Sequence, residues 1–139
     1  VAKADVEHTN LYRRTENFFQ EFDLLIGPTV PISPFPWSTW YLEEMNGEPL
    51  ETYYSWLAPT YGITLTTCPA ATIPCGLDEK GMPFGLQIVG AAKDDAFVLG
   101  AAHALEQAFA RTTDLKRPAP DIAKLASGPT PSLRSIIET

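Results

Sequence analysis

Two histidines, His8 and His103, and two cysteines, Cys68 and Cys75, are the first places to look for chemistry in this 139-residue chain. Imidazole titrates nearest neutrality, so a histidine poised beside a serine or cysteine would be the natural general base. Neither histidine has that setting. His103 falls in the small-residue run AFVLGAAHALEQAFA (96–110), where a satisfied, half-buried imidazole is expected, and His8 reads as a surface residue of an opening helix. None of the six serines sits in a Gly-x-Ser-x-Gly elbow, and Ser33 and Ser127 adjoin proline or glycine in loop contexts. Glu43-Glu44 and Asp78-Glu79 are adjacent pairs, whose side chains diverge on a helix and face opposite sides on a strand, so both read as solvated. Cys68 and Cys75 are too few for a four-ligand zinc site, with no histidine near them in sequence. The segment Pro69 to Pro74 between them reads as extended, which would hold their alpha carbons too far apart for a disulfide. Both are expected as reduced, buried, small apolar side chains, consistent with a cytoplasmic protein. Cys75-Gly76 and GLQIVG (85–90) lack the spacing and lysine of a phosphate loop. By residue type alone, no catalytic constellation, metal site or cofactor is indicated.

Composition narrows the class further. At 45% hydrophobic and 19% charged residues the chain is globular, with the length of one domain. A net charge of −7 with ten scattered Lys and Arg argues against nucleic acid, whose phosphates call for clustered cations. Lys116-Arg117 reads as a solvated chain end. No apolar run approaches the ~20 residues that span a bilayer. The start, VAKADVEHTN, lacks the apolar core of a signal peptide and an initiator Met, so the chain reads as beginning partway through a longer protein.

The elements can be placed in order. VEHTNLYRRTENFFQEF (6–22) has Phe18, Phe19 and Phe22 at helical spacing and predicts a helix ending near Asp23. Leu24-Leu25-Ile26, an unalternated apolar triplet before Gly27-Pro28, predicts a short strand buried on both faces. The prolines from Pro28 to Pro36 forbid regular structure, and PWSTWYLEEM (36–45) reads as a long ordered loop or short helix. Aromatic spacing from Pro49 to Tyr61 predicts a helix closed by Gly62. ITLTTC (63–68) suits a strand, a loop or a helix entry. Ala70 to Ile73 and Phe84 to Val89 predict a hairpin around a polar turn, Leu77 to Met82, with Phe84, Leu86 and Ile88 on one face and Gly85, Gln87 and Val89 on the other. Asp94 or Asp95 is expected to cap a last helix whose stripe of Phe97, Val98, Ala101, Leu105, Ala108 and Phe109 lies on a sheet. Gly100, Ala104 and Ala108 recur every four residues, which predicts close backbone packing. Residues 1–112 read as the domain and 113–139 as a Pro-rich tail, with SLRSIIET (132–139) adding a last helical turn.

Together, FDLLIGPTVP (22–31), CPAATIPCG (68–76) and GMPFGLQIVG (81–90), followed by an acidic residue and an Ala/Leu-rich helix, resemble the carboxy-terminal part of the amidase signature family. The resemblance runs from about residue 10 to residue 110. It rests most on Pro74, Cys75 and Gly76 followed by Pro83, Gly85 and Gln87, which the resemblance makes structural motif residues. It implies an α/β fold: the carboxy-terminal portion of a mixed sheet, with helices packed on a partial sheet. It also implies hydrolysis of linear carboxamides by a Ser–Ser–Lys triad. In that mechanism a neutral lysine acts through a middle serine on the nucleophilic serine, and backbone N–H groups hold the oxyanion. The family's Gly/Ser-rich signature and its lysine lie upstream of this hairpin, and nothing in residues 1–139 matches them. The chain therefore reads as the last third of an amidase, with no catalytic residue of its own.

The same resemblance places the segment after Gly27-Pro28-Thr29 beside the substrate pocket, with Thr29, Trp37, Trp40 and Tyr41 as candidates to line it. Packing of the aromatics onto the missing part is the rival reading. The family's glutamine-using amidotransferase subunits carry an acidic residue before the PCG strand. YSWLAPTYG (54–62) has none, which favours a general amide hydrolase over an amidotransferase A-type subunit. Implied partners are the amino-terminal part of the amidase and a small amide substrate. A non-catalytic partner-binding module is the other reading; it predicts an exposed apolar patch and homo-oligomers.

Overall fold

The computed structural model describes residues 2–128, so the expected last turn in SLRSIIET lies outside the described residues. The chain opens with α1 (Ala2–Phe18) and β1 (Leu25–Pro28). A two-stranded ribbon follows, β2 (Glu44–Met45) and β3 (Glu48–Pro49), then α2 (Ala58–Thr66). The hairpin β4 (Ala70–Leu77) and β5 (Pro83–Val89) leads into α3 (Asp95–Phe109) and a short α4 (Ile122–Ala126). The main sheet is antiparallel with order β1-β5-β4.

The predicted hairpin is present, with its faces as expected. Ile73 and Ile88 are buried with Ala102 of α3, and Ala71, Leu86, Ala101, Leu105 and Phe109 pack around them. On the opposite face Val89 and Leu25, paired in register, meet Phe18 of α1, Phe19 in the turn that follows it, and Ile63 of α2. That second layer is loose. A cleft of about 370 Å³ separates the helices from the sheet, and no residue of α1 is fully buried. α1 ends at Phe18, five residues short of Asp23, because Phe22 folds back in a turn and stacks on Phe18 at 4.8 Å.

Several expectations are corrected. The Leu24-Leu25-Ile26 strand is not buried on both faces: β1 is an edge strand, with Leu25 40% and Ile26 46% exposed. The helix expected over Pro49 to Tyr61 begins only after a single 3-10 turn at Ser55–Leu57. Pro59 sits in its first turn, where a missing N–H costs nothing. Gly62 lies inside α2; the stop is Thr67, at φ 61° in the left-handed region. On α3 the buried stripe is Val98, Ala101, Ala102, Leu105 and Phe109, while Phe97 and Ala108 turn outward. Gly100 and Ala104 are exposed as well, so the four-residue repeat packs against nothing among the described residues. Asp94 takes the cap position of α3, but its side chain makes no capping bond.

β4 carries a bulge between Pro74 and Leu77. Gly76 makes it, at φ 68°, and the carbonyl of Asp114 lies directly against its α-carbon, where a methyl group would collide with it. The chain beyond α3 is thereby seated on the hairpin.

Candidate functional site

The corner where β1 runs out is the most tightly built polar feature. The Thr29 N–H donates to the Gly85 carbonyl at 2.8 Å, extending the β1–β5 ladder by one residue. Gln87 reaches back to donate its Nε2 to the Pro28 carbonyl at 3.0 Å. Thr60 of α2 donates its hydroxyl to the Thr29 carbonyl at 2.7 Å. These three bonds tie β1, β5 and α2 at one point. Gly85 is what admits Thr29, since a Cβ there would stand 2.7 Å from Thr29 Oγ1. The Thr29 Oγ1 itself is buried and finds no hydrogen-bond partner. A buried hydroxyl without a partner costs about 1–3 kcal/mol.

Beside this corner lies a cleft of about 210 Å³. Ile32, Ser33, Phe35, Trp56, Phe84 and Gly85 are among the residues that line it. Phe35 and Trp56 meet edge to face at 5.9 Å. Asp78 closes the rim. The Ser33 hydroxyl beside it holds its carboxyl below the usual carboxylate range, helped by the N–H groups of Met82 and Lys80 at 2.8 and 2.9 Å. Asp78 is thus engaged in ordering a turn rather than simply solvated, while Glu79, Glu43 and Glu44 are exposed as expected.

The four pocket candidates do not converge. Trp40 and Tyr41 line a separate shallow depression of about 630 Å³ with Leu50 and Tyr53, in front of the small ribbon. Trp40 is 93% exposed, and Trp37, at 77%, stands clear of both clefts. The proximity of Trp56, Phe35 and Asp78 to the Thr29 corner was not expected from sequence. Of the motif residues, Gly85 and Gln87 hold the corner, Pro83 lines the cleft, and Pro74, Cys75 and Gly76 form the bulged end of β4.

The remaining reactive groups are dispersed. His103 is exposed rather than half-buried, and His8 sits on the surface with Nε2 2.8 Å from the Leu65 carbonyl. Cys68 and Cys75 are free and only partly buried. Cys68 borders a third cleft with Tyr12, Glu16 and Lys93. There the Tyr12 hydroxyl donates a hydrogen bond to the Glu16 carboxylate, and that bond and the negative charge raise the Tyr12 pKa. No group of three or more metal-ligating side chains occurs among the described residues, and no described helix is long and apolar enough to cross a membrane.

The family model described as Amidase matches residues 1–99. The chain belongs to the amidase family. The glutamyl-tRNA(Gln) amidotransferase A subunit of Geobacillus thermodenitrificans is 38% identical to it over 106 residues, which cover 76% of the chain and 20% of that protein. The corresponding protein of Novosphingobium aromaticivorans is 41% identical over 93 residues, covering 66% of the chain and 17% of its own length. Among solved structures, one described as an amidase superposes with a TM-score of 0.66 at 27% identity, covering 77% of this chain and 24% of that one. The Thermotoga maritima amidotransferase A subunit superposes at 0.68 with 23% identity, over 87% of this chain and 25% of that one, and shows the same fold. The chain therefore spans about a fifth to a quarter of the relatives it matches, less than the third expected. The signature motifs identified the family, and the α/β arrangement of helices on a small sheet is that of its solved members.

Proposed function

We propose that this chain is the carboxy-terminal portion of an amidase-type hydrolase that cleaves linear carboxamides to acid and ammonia or amine. The triad, a nucleophilic serine, a bridging serine and a neutral lysine, is carried by sequence upstream of these residues. The chain by itself is inert. One observation carries the reading: a family match over residues 1–99 joined to reactive side chains that, among the described residues, never converge. Its contribution to the enzyme is the corner around Thr29 and Gly85 and the adjoining aromatic cleft, which form one side of the amide pocket. Trp37, Trp40 and Tyr41 then line or close that pocket from the loop. Its partners are the triad-bearing part of the domain and a small amide, with no cofactor, in the cytoplasm.

A second reading has its own support. The curated relatives at 38% and 41% identity are amidotransferase A subunits, which favours glutamine as the amide and a multisubunit assembly. The absence of an acidic residue in YSWLAPTYG weighs against it. Amide turnover separates the readings. The chain alone is expected to release no ammonia from simple amides or from glutamine. Joined to a triad-bearing part, it is expected to hydrolyse simple amides; a strict preference for glutamine would favour the amidotransferase. Robust, inhibitor-sensitive hydrolysis by residues 1–139 alone would overturn both.

A further inference from the structure

We propose that the depression in front of the β2–β3 ribbon binds a small organic cation, an alkylated ammonium or a guanidinium. In the enzyme of the reading just given, on which this last step rests, that cation is the charged end of the amide. The depression is lined by the two arms of chain that enter and leave the ribbon, residues 40–43 and 50–53. Those arms are clamped together. The Leu50 N–H donates to the Glu43 carbonyl at 2.8 Å, one pair beyond the Glu44–Pro49 pairing of the ribbon. Tyr53 is tied down as well. Its carbonyl accepts the Trp56 indole N–H at 2.9 Å, and its ring meets Tyr54 edge to face at 5.2 Å. The lining is therefore set before any ligand arrives.

Two features select a cation. Three rings line the depression, and all are exposed: Trp40 almost wholly, Tyr53 at 67% and Tyr41 at 48%. An aromatic face carries negative potential and attracts a cation placed over it. Glu43 and Glu51 share the lining and are exposed too. Nothing nearby in sequence neutralises them. Residues 24–77 contain four carboxylates, Glu43, Glu44, Glu48 and Glu51, all on or beside the ribbon, and no Lys, Arg or His. A metal ion fits less well, because hard divalent cations want about six or more oxygens. Among the described residues no group of three or more His, Cys, Asp or Glu could hold one. A cation that sits on aromatic faces and needs few oxygens is an organic one. The volume, about 630 Å³, falls within the roughly 300–1,000 Å³ of small-molecule sites.

The probe is choline, set against its uncharged isostere with carbon in place of nitrogen. Binding is followed by NMR of the Trp40 indole and the Tyr53 ring in the labelled 139-residue chain. Choline is expected to shift both saturably, and the isostere to bind at least tenfold more weakly. Added salt should weaken choline and spare the isostere. Trp40→Leu, at a position with almost no packing to lose, is expected to weaken choline at least tenfold, read at Tyr53. Glu43→Gln with Glu51→Gln should cost at least fivefold. Glu7→Gln with Glu21→Gln removes the same charge from exposed positions elsewhere and should cost nothing. Equal binding of the isostere, or no saturation by choline, would overturn the proposal. Binding of an arginine-rich peptide but not of choline would make a protein the occupant and overturn it too. Joined to a triad-bearing part, the chain is expected to favour an amide ending in trimethylammonium over one ending in tert-butyl at least tenfold in kcat/KM. Trp40→Leu should remove that preference. Equal values, or a preference that survives Trp40→Leu, would overturn the assignment to substrate. Choline binding without turnover of either amide would sink the amidase reading and leave the cation site standing.

Discussion

Thr29 is caught between two demands: its backbone is pinned by Gly85 and Thr60, and its hydroxyl is buried without a partner. Replacing it with valine keeps the shape and removes the orphaned group. Thr29→Val is therefore expected to stabilise the isolated chain by about 1 kcal/mol in denaturant unfolding. A loss of stability would show that the hydroxyl has a partner in solution. Gly85→Ala puts a methyl 2.7 Å from that same oxygen and should destabilise by about 1–3 kcal/mol. In a double-mutant cycle, Thr29→Ala should recover part of that cost, because the two sites touch. Asp78 answers to pH. Its folded pKa is depressed by Ser33 and the turn N–H groups, so its contribution is present above the unfolded value of about 3.9 and is lost as pH falls through the lower folded value. The melting difference between wild type and Asp78→Asn should be constant near neutrality and shrink only below about pH 4. A difference that begins to close near pH 6 would mean the carboxylate is not held there. From sequence Asp78 looked solvated, because Ser33 is 45 positions away and only the fold brings it near.

At the scale of elements, the legible parts were those with an unambiguous period. The β4–β5 hairpin alternates cleanly, and the structure follows it to the residue face. α3 was legible as an element and in Val98, Ala101, Leu105 and Phe109 of its stripe, but the expected stripe reached one position too far to one side. Phe97 and Ala108 sit about 100° before Val98 and Phe109, and apolar residues all around the helix conceal which arc is buried. The aromatic run at 49–61 has helical spacing because its rings pack on one another, Tyr53 on Tyr54 and Tyr54 on Tyr61, not because the backbone is helical throughout. The small ribbon does carry a sequence signal, hidden among the aromatics that flank it. Asn46-Gly47, at φ 55° and 81°, has the sequence and backbone of a type I′ hairpin turn. The bulge at Gly76 gives a prediction of its own. Gly76→Ala meets both a left-handed backbone, worth about 1–2 kcal/mol, and the Asp114 carbonyl. The segment following α3 should then detach. Limited proteolysis near Lys116-Arg117 should accelerate at least tenfold while cleavage within β5 does not. Equal acceleration at both places would mean that the whole hairpin had unfolded instead.

For the whole molecule, the quantity that matters is how little is buried. Among the described residues only Ile73, Ile88, Val89, Val98 and Ala102 are buried apolar side chains, while Leu25, Ile26, Trp37, Trp40 and Tyr53 stand in solvent. The family was legible in the motifs around Gly76 and Gly85; the loose second layer was not, since periodicity tells which face is apolar and not whether anything covers it. A sheet finished on one face predicts marginal stability, for each buried apolar side chain contributes only about 1.5–3 kcal/mol against the ordering of the chain. The net charge of −7 keeps such a chain dispersed without making it rigid. Alone, it should therefore melt broadly, bind a hydrophobic dye, and show little exchange protection outside β4, β5 and α3. A partner that binds only the folded form adds stability by mass action, about 2.7 kcal/mol at a hundred times its Kd. The melting midpoint of the chain should accordingly climb with the concentration of the triad-bearing part and continue to climb past stoichiometry. A sharp, high midpoint that ignores that partner would mean these residues already form a finished domain, and the shared pocket would have no place to be.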